Sequence, residues 1–375
     1  MDWLALGITV LKSAVVIGAA MGVVAYSVLA ERKVSALIQE RVGPNRVGLP
    51  FIGLGRSIGL GQPIADAFKL ILKEQFTPAH VNRLYFWIAP VLAVVPPLLV
   101  LGLIPFGSVL DLRPLGIDLS ISCVVADIDV GLLLALAVAS LSVYGIVIAG
   151  WASNSKYPLL GALRCSAQLI SYEVSLALSV IPVLLVTGSL NLTEIVEYQK
   201  VAGWLALPVF ADGWSAASFA LWIPMGISFL IFLVSTFAET NRLPFDLPES
   251  ETELVGGYHT EYSGIRFAMF FLGEYVALVA ASALAVTLFF GGWSLPGLGF
   301  PLLPAGDGNL TAGLANIAVF AAKAAAFIFF FMAIRWTLPR FRYDQLMRLG
   351  WKVFLPLSIA NVLLTAVIIA LVERR

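Results

Sequence analysis

Long apolar runs alternate with polar stretches along the whole chain. A helix needs about 20 mainly apolar residues to cross a bilayer. Eight segments meet that length: Trp3–Ala30, Leu84–Ile104, Ala126–Trp151, Leu163–Thr187, Ser215–Ala238, Ile265–Phe290, Thr311–Ile334 and Val353–Val372. Trp3, Trp151, Trp214 and Trp293 fall near their ends, where interfacial tryptophans gather. The first segment is longer than a signal h-region and lacks an A-x-A cleavage site, so it reads as a permanent helix. The pattern predicts an all-α polytopic membrane protein of about eight transmembrane helices, residues 1–375 forming a single membrane domain.

Composition agrees. Of 375 residues, 60% are hydrophobic and 12% charged, and mean hydropathy is +0.94. A soluble domain is about half apolar and a quarter charged, so lipid must be part of this chain's solvent. Lys plus Arg and Asp plus Glu each number 23, a balance that offers nothing to nucleic acid. Cys123, Cys165, His80 and His259 are too few and too scattered for a zinc, iron–sulfur or haem site, or for a disulfide scaffold.

Charge distribution predicts orientation. Of the 23 Lys and Arg, 17 lie in or beside the loops after the first, third, fifth and seventh segments, and 4 in those after the even ones. The positive-inside rule puts the odd loops (31–83, 152–162, 239–264 and 335–352) in the cytoplasm and both termini outside. The outward connections are rich in Gly, Pro and aliphatics, so function is expected on the inner face.

Three inner segments carry candidate chemistry. The first loop opens with Glu31-Arg32-Lys33, passes through QERVGPNRVG and reaches QPIADAFKLILKE (Gln62–Glu74). There Ile64, Phe68, Ile71 and Leu72 share a helical face with Asp66, Lys69 and Lys73 toward another, an amphipathic helix whose plainest role is an interfacial anchor. The third loop, ETNRLPFDLPESETELVGGYHTEYSG, holds Glu239, Asp246, Glu249, Glu251, Glu253 and Glu261 among Phe245, Leu247, Leu254, Val255 and Tyr258. A solvated acidic tail would lack those apolar neighbours. Crowded, poorly hydrated carboxylates hold protons toward neutral pH, where they can exchange them; a charged loop that docks a partner is the equal alternative. The fourth loop, RWTLPRFRYDQLMRLGWK, is basic and aromatic and suits a partner's acidic groups or lipid headgroups.

Some ionisable residues fall inside spans, where a charge costs roughly 2.5–3.5 kcal/mol and usually works for its place. Glu173, Glu274 and Lys323 are read as functional. Asp127 and Asp129 lie close to water and are read as structural, and Lys12 can snorkel outward.

Laid out in this order, the blocks resemble those of the quinone-site membrane subunit family of respiratory NADH-quinone oxidoreductase, complex I. The matching stretches are Glu31-Arg32-Lys33 with QERVGPNRVG, QPIADAFKLILKE, Ser171-Tyr172-Glu173, the acidic loop with Gly273-Glu274-Tyr275, and PRFRYDQLM from Pro339. His259 and the outward stretch Gly291–Asn309 look like local variation. The resemblance implies that ubiquinone or menaquinone enters from lipid through a tunnel shared with a peripheral arm. Arg32, Asp66, Ala67, Lys69, Arg335 and Arg340 would line that tunnel. Glu173, Glu239, Asp246, Glu249, Glu251, Glu253, Glu261 and Glu274, with Lys323, would begin the proton path. FMN and iron–sulfur clusters would sit on partner subunits, with this chain carrying no redox centre, in a bacterial inner membrane. A membrane subunit of a related proton-pumping hydrogenase, a free-standing transporter and a purely structural anchor are the competing readings. The transporter should show inverted repeats, and no repeat is evident.

Overall fold

The computed structural model describes residues 3–48, 58–113, 119–207, 216–248, 251–295 and 310–373. Among them are eight helices long and apolar enough to cross a membrane, as the hydrophobic pattern predicts. Helices dominate because a lipid-embedded backbone must satisfy its polar groups within the segment. The spanning elements are α1 (Trp3–Ile38), α3 (Arg83–Leu103), the pair α4 (Gly131–Ser140) and α5 (Ser142–Ala152), α6 (Lys156–Thr187), α8 (Ala216–Glu239), α10 (Gly264–Phe289), α11 (Leu310–Thr337), and α12 (Tyr343–Arg348) running through a π-turn at Leu349–Phe354 into α13 (Leu355–Glu373). Short helices α2 (Gln62–Leu72), α7 (Leu192–Ala202) and α9 (Glu251–Leu254) lie between spans. A two-stranded antiparallel ribbon pairs β1 (Val109–Asp111) with β2 (Ser120–Ser122).

Helices pass further into the polar segments than hydropathy alone suggests. α1 runs to Ile38, beyond the expected end at Ala30, and α6 begins at Lys156 rather than Leu163. The last span starts at Tyr343, ten residues before Val353. The extensions carry charged and polar positions, which lower the hydropathy of a segment without ending its helix. α7 was not expected at all. Asn191 caps it, its side chain accepting from Thr193 N at 2.8 Å, and Asp127 Oδ1 accepts from Asn191 Nδ2 at 2.9 Å. That contact ties Asp127 to the start of α7. Lys12 Nζ likewise reaches Ser122 Oγ and Val124 O.

α10 is the central helix: 67% of its apolar stretch is buried, against 11% for α1 and 17% for the last span. Its face meets α3 at close range. A Cβ on Gly273 would sit 2.8 Å from Ala93 O, and one on Gly145 of α5 would sit 2.7 Å from Ala93 N. Small residues let membrane helices approach like this, where apolar burial alone drives no association. Phe229, Phe289, Phe290 and Phe327 interlock edge to face between α8, the end of α10 and α11.

The spans alternate in direction. The ends of α1, α5, α8 and α11 therefore lie with the starts of α3, α6, α10 and α12 at one end of the bundle, called here the charged end.

Candidate functional site

The centre of the charged end is a set of two carboxylates and two guanidiniums, of which Glu31 and Arg242 are buried and Glu274 and Arg335 partly so. The extension of α1 places Glu31 on a helix, where it is buried. Asn241, with φ +51, turns the chain sharply after α8 and delivers Arg242 inward; asparagine tolerates that left-handed conformation better than most residues. Arg242 Nη1 lies 3.1 Å from Glu31 Oε2, and its Nε lies 2.7 Å from Glu274 Oε1. Arg335, from the last turn of α11, reaches Glu31 Oε1 at 2.6 Å and Glu274 Oε1 at 4.0 Å. Tyr275 donates its hydroxyl hydrogen to Glu31 Oε2 at 2.7 Å and offers its ring to Arg242, whose Cζ is 4.2 Å from the centroid.

Charge balance makes this burial possible. Arg242 is 1% exposed. Burial opposes its charge, but Glu274, Glu31 and Tyr275 outweigh that cost and push its pKa above the ordinary guanidinium value. Removing one member would leave an uncompensated buried charge, at a cost of about 3–5 kcal/mol. Arg242 Nη2 has no hydrogen-bond acceptor among the described residues.

The acidic loop packs as its apolar residues predict. Phe245 and Leu247 are buried. Phe245 meets Tyr172 and Phe341 with ring centroids 5.5 and 5.4 Å away. Gln168 Nε2 donates to Ala238 O at 2.8 Å and Phe245 O at 2.9 Å, tying the loop to α6. Asp246 Oδ2 accepts from Arg340 Nη2 at 2.9 Å. Arg335 and Arg340, assigned from the resemblance to the tunnel, thus each hold a carboxylate assigned to the proton path.

Ser171-Tyr172-Glu173 lies against the π-turn. Tyr172 donates to Leu346 O at 2.9 Å, and Trp351 Nε1 donates to Ser171 Oγ at 2.9 Å. π-turns recur at functional positions because they rotate side chains out of helical register. Glu173 itself is half-buried on α6, one position after Tyr172.

Other expected residues lie apart from this centre. Glu253 is paired with Arg164 at 2.7 Å and is half-exposed. Glu261 is 4.0 Å from His80. Asp66 of α2 binds Arg32 Nη1 at 2.7 Å and Gln62 Nε2 at 2.9 Å. Ala67 helps Ala25, Tyr26, Pro63, Ile64, Phe68 and Ile71 line an apolar cleft of about 340 Å³ between α1 and α2. Lys69 is exposed on α2. Lys323 is remote: it stands twelve positions, about 18 Å of helix, from Arg335. Its Nζ donates to Phe290 O, Gly292 O and Ser294 O at 2.7, 2.9 and 2.6 Å, a cation on the carbonyl end of α10 that also faces the Trp204 ring. Glu249 lies outside the described residues, as does the side chain of Glu251.

Glu31, Arg242, Tyr275 and Arg164 were not among the residues expected from sequence. A partial signal for Glu31 existed, since apolar positions continue through Val34, Leu37 and Ile38. Nothing local signals that Arg242 and Glu31 meet.

The family model described as NADH dehydrogenase matches residues 11–366. The chain is 47% identical over 371 residues to the second NADH-quinone oxidoreductase H subunit of Koribacter versatilis, covering 97% of each chain. It is 47% identical over 366 residues to NADH-quinone oxidoreductase subunit 8 of Rhodothermus marinus, again over 97% of each. With the NADH-quinone oxidoreductase H subunit of Salinibacter ruber it shares 46% identity over 368 residues, 98% of this chain and 96% of the relative. Similarity of that extent over nearly the whole length shows that the chain belongs to the H-subunit family of NADH-quinone oxidoreductase.

Proposed function

We propose that this chain, as the membrane subunit of complex I, forms the quinone-access tunnel with the peripheral arm and starts the carboxylate path that couples quinone reduction to proton translocation. The observation that carries the reading is the Glu31–Arg242–Glu274–Arg335 set, which joins a residue beside the proposed tunnel to one on the proposed path. Ubiquinone or menaquinone takes up two electrons and two protons to become the hydroquinone. The electrons come from NADH through FMN and iron–sulfur clusters on partner subunits, and this chain holds no redox centre of its own. The apolar cleft beside Ala67 suits an isoprenoid tail, and Arg32, Asp66 and Lys69 give its surroundings polarity.

Charge changes at the quinone head alter the balance around Arg335 and Arg340. Their partners Glu274 and Asp246 respond by changing proton affinity, because coupled carboxylates titrate together. Glu173 on α6 and Glu239 at the end of α8 are assigned to the path from the family resemblance. Glu249, Glu251, Glu253 and Glu261 extend the acidic rim, and Lys323 continues the path toward the opposite end. The whole chain acts as one membrane domain in a bacterial inner membrane, with the charged end cytoplasmic and both termini outside.

The relatives' names support the quinone oxidoreductase reading over the hydrogenase one. The test is Glu239→Gln in the intact complex. An assembled complex that has lost quinone reduction coupled to proton uptake is expected; full coupled activity overturns the proposal.

A further inference from the structure

A second cavity, of about 380 Å³, lies beside the π-turn and is framed by Asp344, Met347, Arg348, Trp351 and Lys352. The function proposed above does not use it. Asp344 contributes little charge to it, because Arg342 holds both carboxylate oxygens, Nε to Oδ1 at 3.1 Å and Nη2 to Oδ2 at 3.3 Å. Arg348 and Lys352 remain, one helical turn apart. Both are exposed, and neither makes a hydrogen bond or ion pair with another described residue.

Trp351 stands between them. Its ring is half-exposed, while its N–H is fixed on Ser171. Immediately along the helix, Val353, Leu357 and Ile359 turn apolar surface outward. Two unpaired cations, an anchored indole and then an apolar helix surface follow one another where a span enters the membrane. That order matches an amphiphile with an anionic head and acyl tails: Arg can grip two phosphate oxygens at once, Lys adds a point charge, and Trp favours the interface. An acidic peptide would satisfy the cations but has no counterpart for the apolar surface that continues from them.

We propose that this cavity binds the phosphate headgroup of an anionic phospholipid. The test uses the intact complex, delipidated in detergent and titrated with phosphatidylglycerol or phosphatidylcholine, with bound lipid counted by native mass spectrometry. Replacing both cations, R348Q/K352Q, should weaken phosphatidylglycerol binding at one site about 30-fold and leave phosphatidylcholine uptake unchanged. The charge-preserving R348K/K352R should retain the site, which separates loss of charge from damage to the fold. Millimolar inorganic phosphate should not displace the lipid. Undiminished phosphatidylglycerol binding in R348Q/K352Q overturns the proposal. So does equal uptake of the two lipids by the wild-type complex at this site, displacement by inorganic phosphate, or a crosslink from Lys352 to an acidic segment of a partner protein.

Discussion

Arg242 and Glu31 are 211 positions apart, yet Arg242 Nη1 and Glu31 Oε2 meet at 3.1 Å in a region closed to solvent. The contact pins the loop after α8 to the extended end of α1. The first prediction follows from it. Arg242→Gln leaves Glu31 and Glu274 with only Arg335 between them, and should destabilise the protein by about 3–5 kcal/mol. The double variant Glu31→Gln with Arg242→Gln should be less damaging than Arg242→Gln alone, because it also removes one orphaned charge. Thermal denaturation of the purified complex, with the amount assembled, checks the order; equal losses would mean that the pair is not coupled.

Glu173 and Glu253 should behave differently. Glu173 is partly buried on α6, and Glu253 is half-exposed on Arg164. Glu173→Gln should abolish coupled activity in an assembled complex, at least tenfold down. Glu253→Gln should lose several-fold less, because an exposed pair contributes only about 0–1 kcal/mol. NADH-driven proton uptake in membrane vesicles measures both.

Ala67→Trp should fill the cleft between α1 and α2. The expected result is a raised KM for long-chain quinone with little change for a short-chain analogue, read from steady-state kinetics. Unaltered kinetics with both would remove this cleft from the quinone route.

Lys323→Met takes away three carbonyl partners at the end of α10. A lower Tm is expected, on the order of 1–3 kcal/mol of stability for the acceptors left unpaired. If Lys323 also conducts protons, the number of protons moved per NADH falls as well; a lower Tm at an unchanged ratio would leave it as a helix cap alone.

Cys123 tests orientation. It lies between β2 and α4, at the end opposite the charged one, and burial pushes its thiol pKa up despite the pull of Lys12. A membrane-impermeant maleimide should label it only from the outside of sealed cells, and more slowly at neutral pH than a free thiol because less of it is thiolate. Cys165 is buried and should stay unlabelled. Labelling only in inverted vesicles would reverse the assigned topology.

The sequence by itself determined the eight spans, because the bilayer acts on each segment separately and demands an apolar run of fixed length. It also marked Glu173, Glu274 and Lys323, since a charge within such a run stands out without any partner in view. For the acidic loop the sequence left a folded segment and a solvated docking loop equally open, and the burial of Phe245 and Leu247 decided for the folded one. Tertiary structure alone decided which charges meet. Arg335 and Arg340 looked like one basic loop in sequence, yet one joins Glu31 and Glu274 and the other takes Asp246. Lys323 looked like a companion of the in-span carboxylates, yet it caps α10 far from them. The physical reason is common to these cases. Apolar length is a local property of the chain, whereas a buried charge is stable only beside its counter-charge or its dipole, and packing alone brings those together across hundreds of residues.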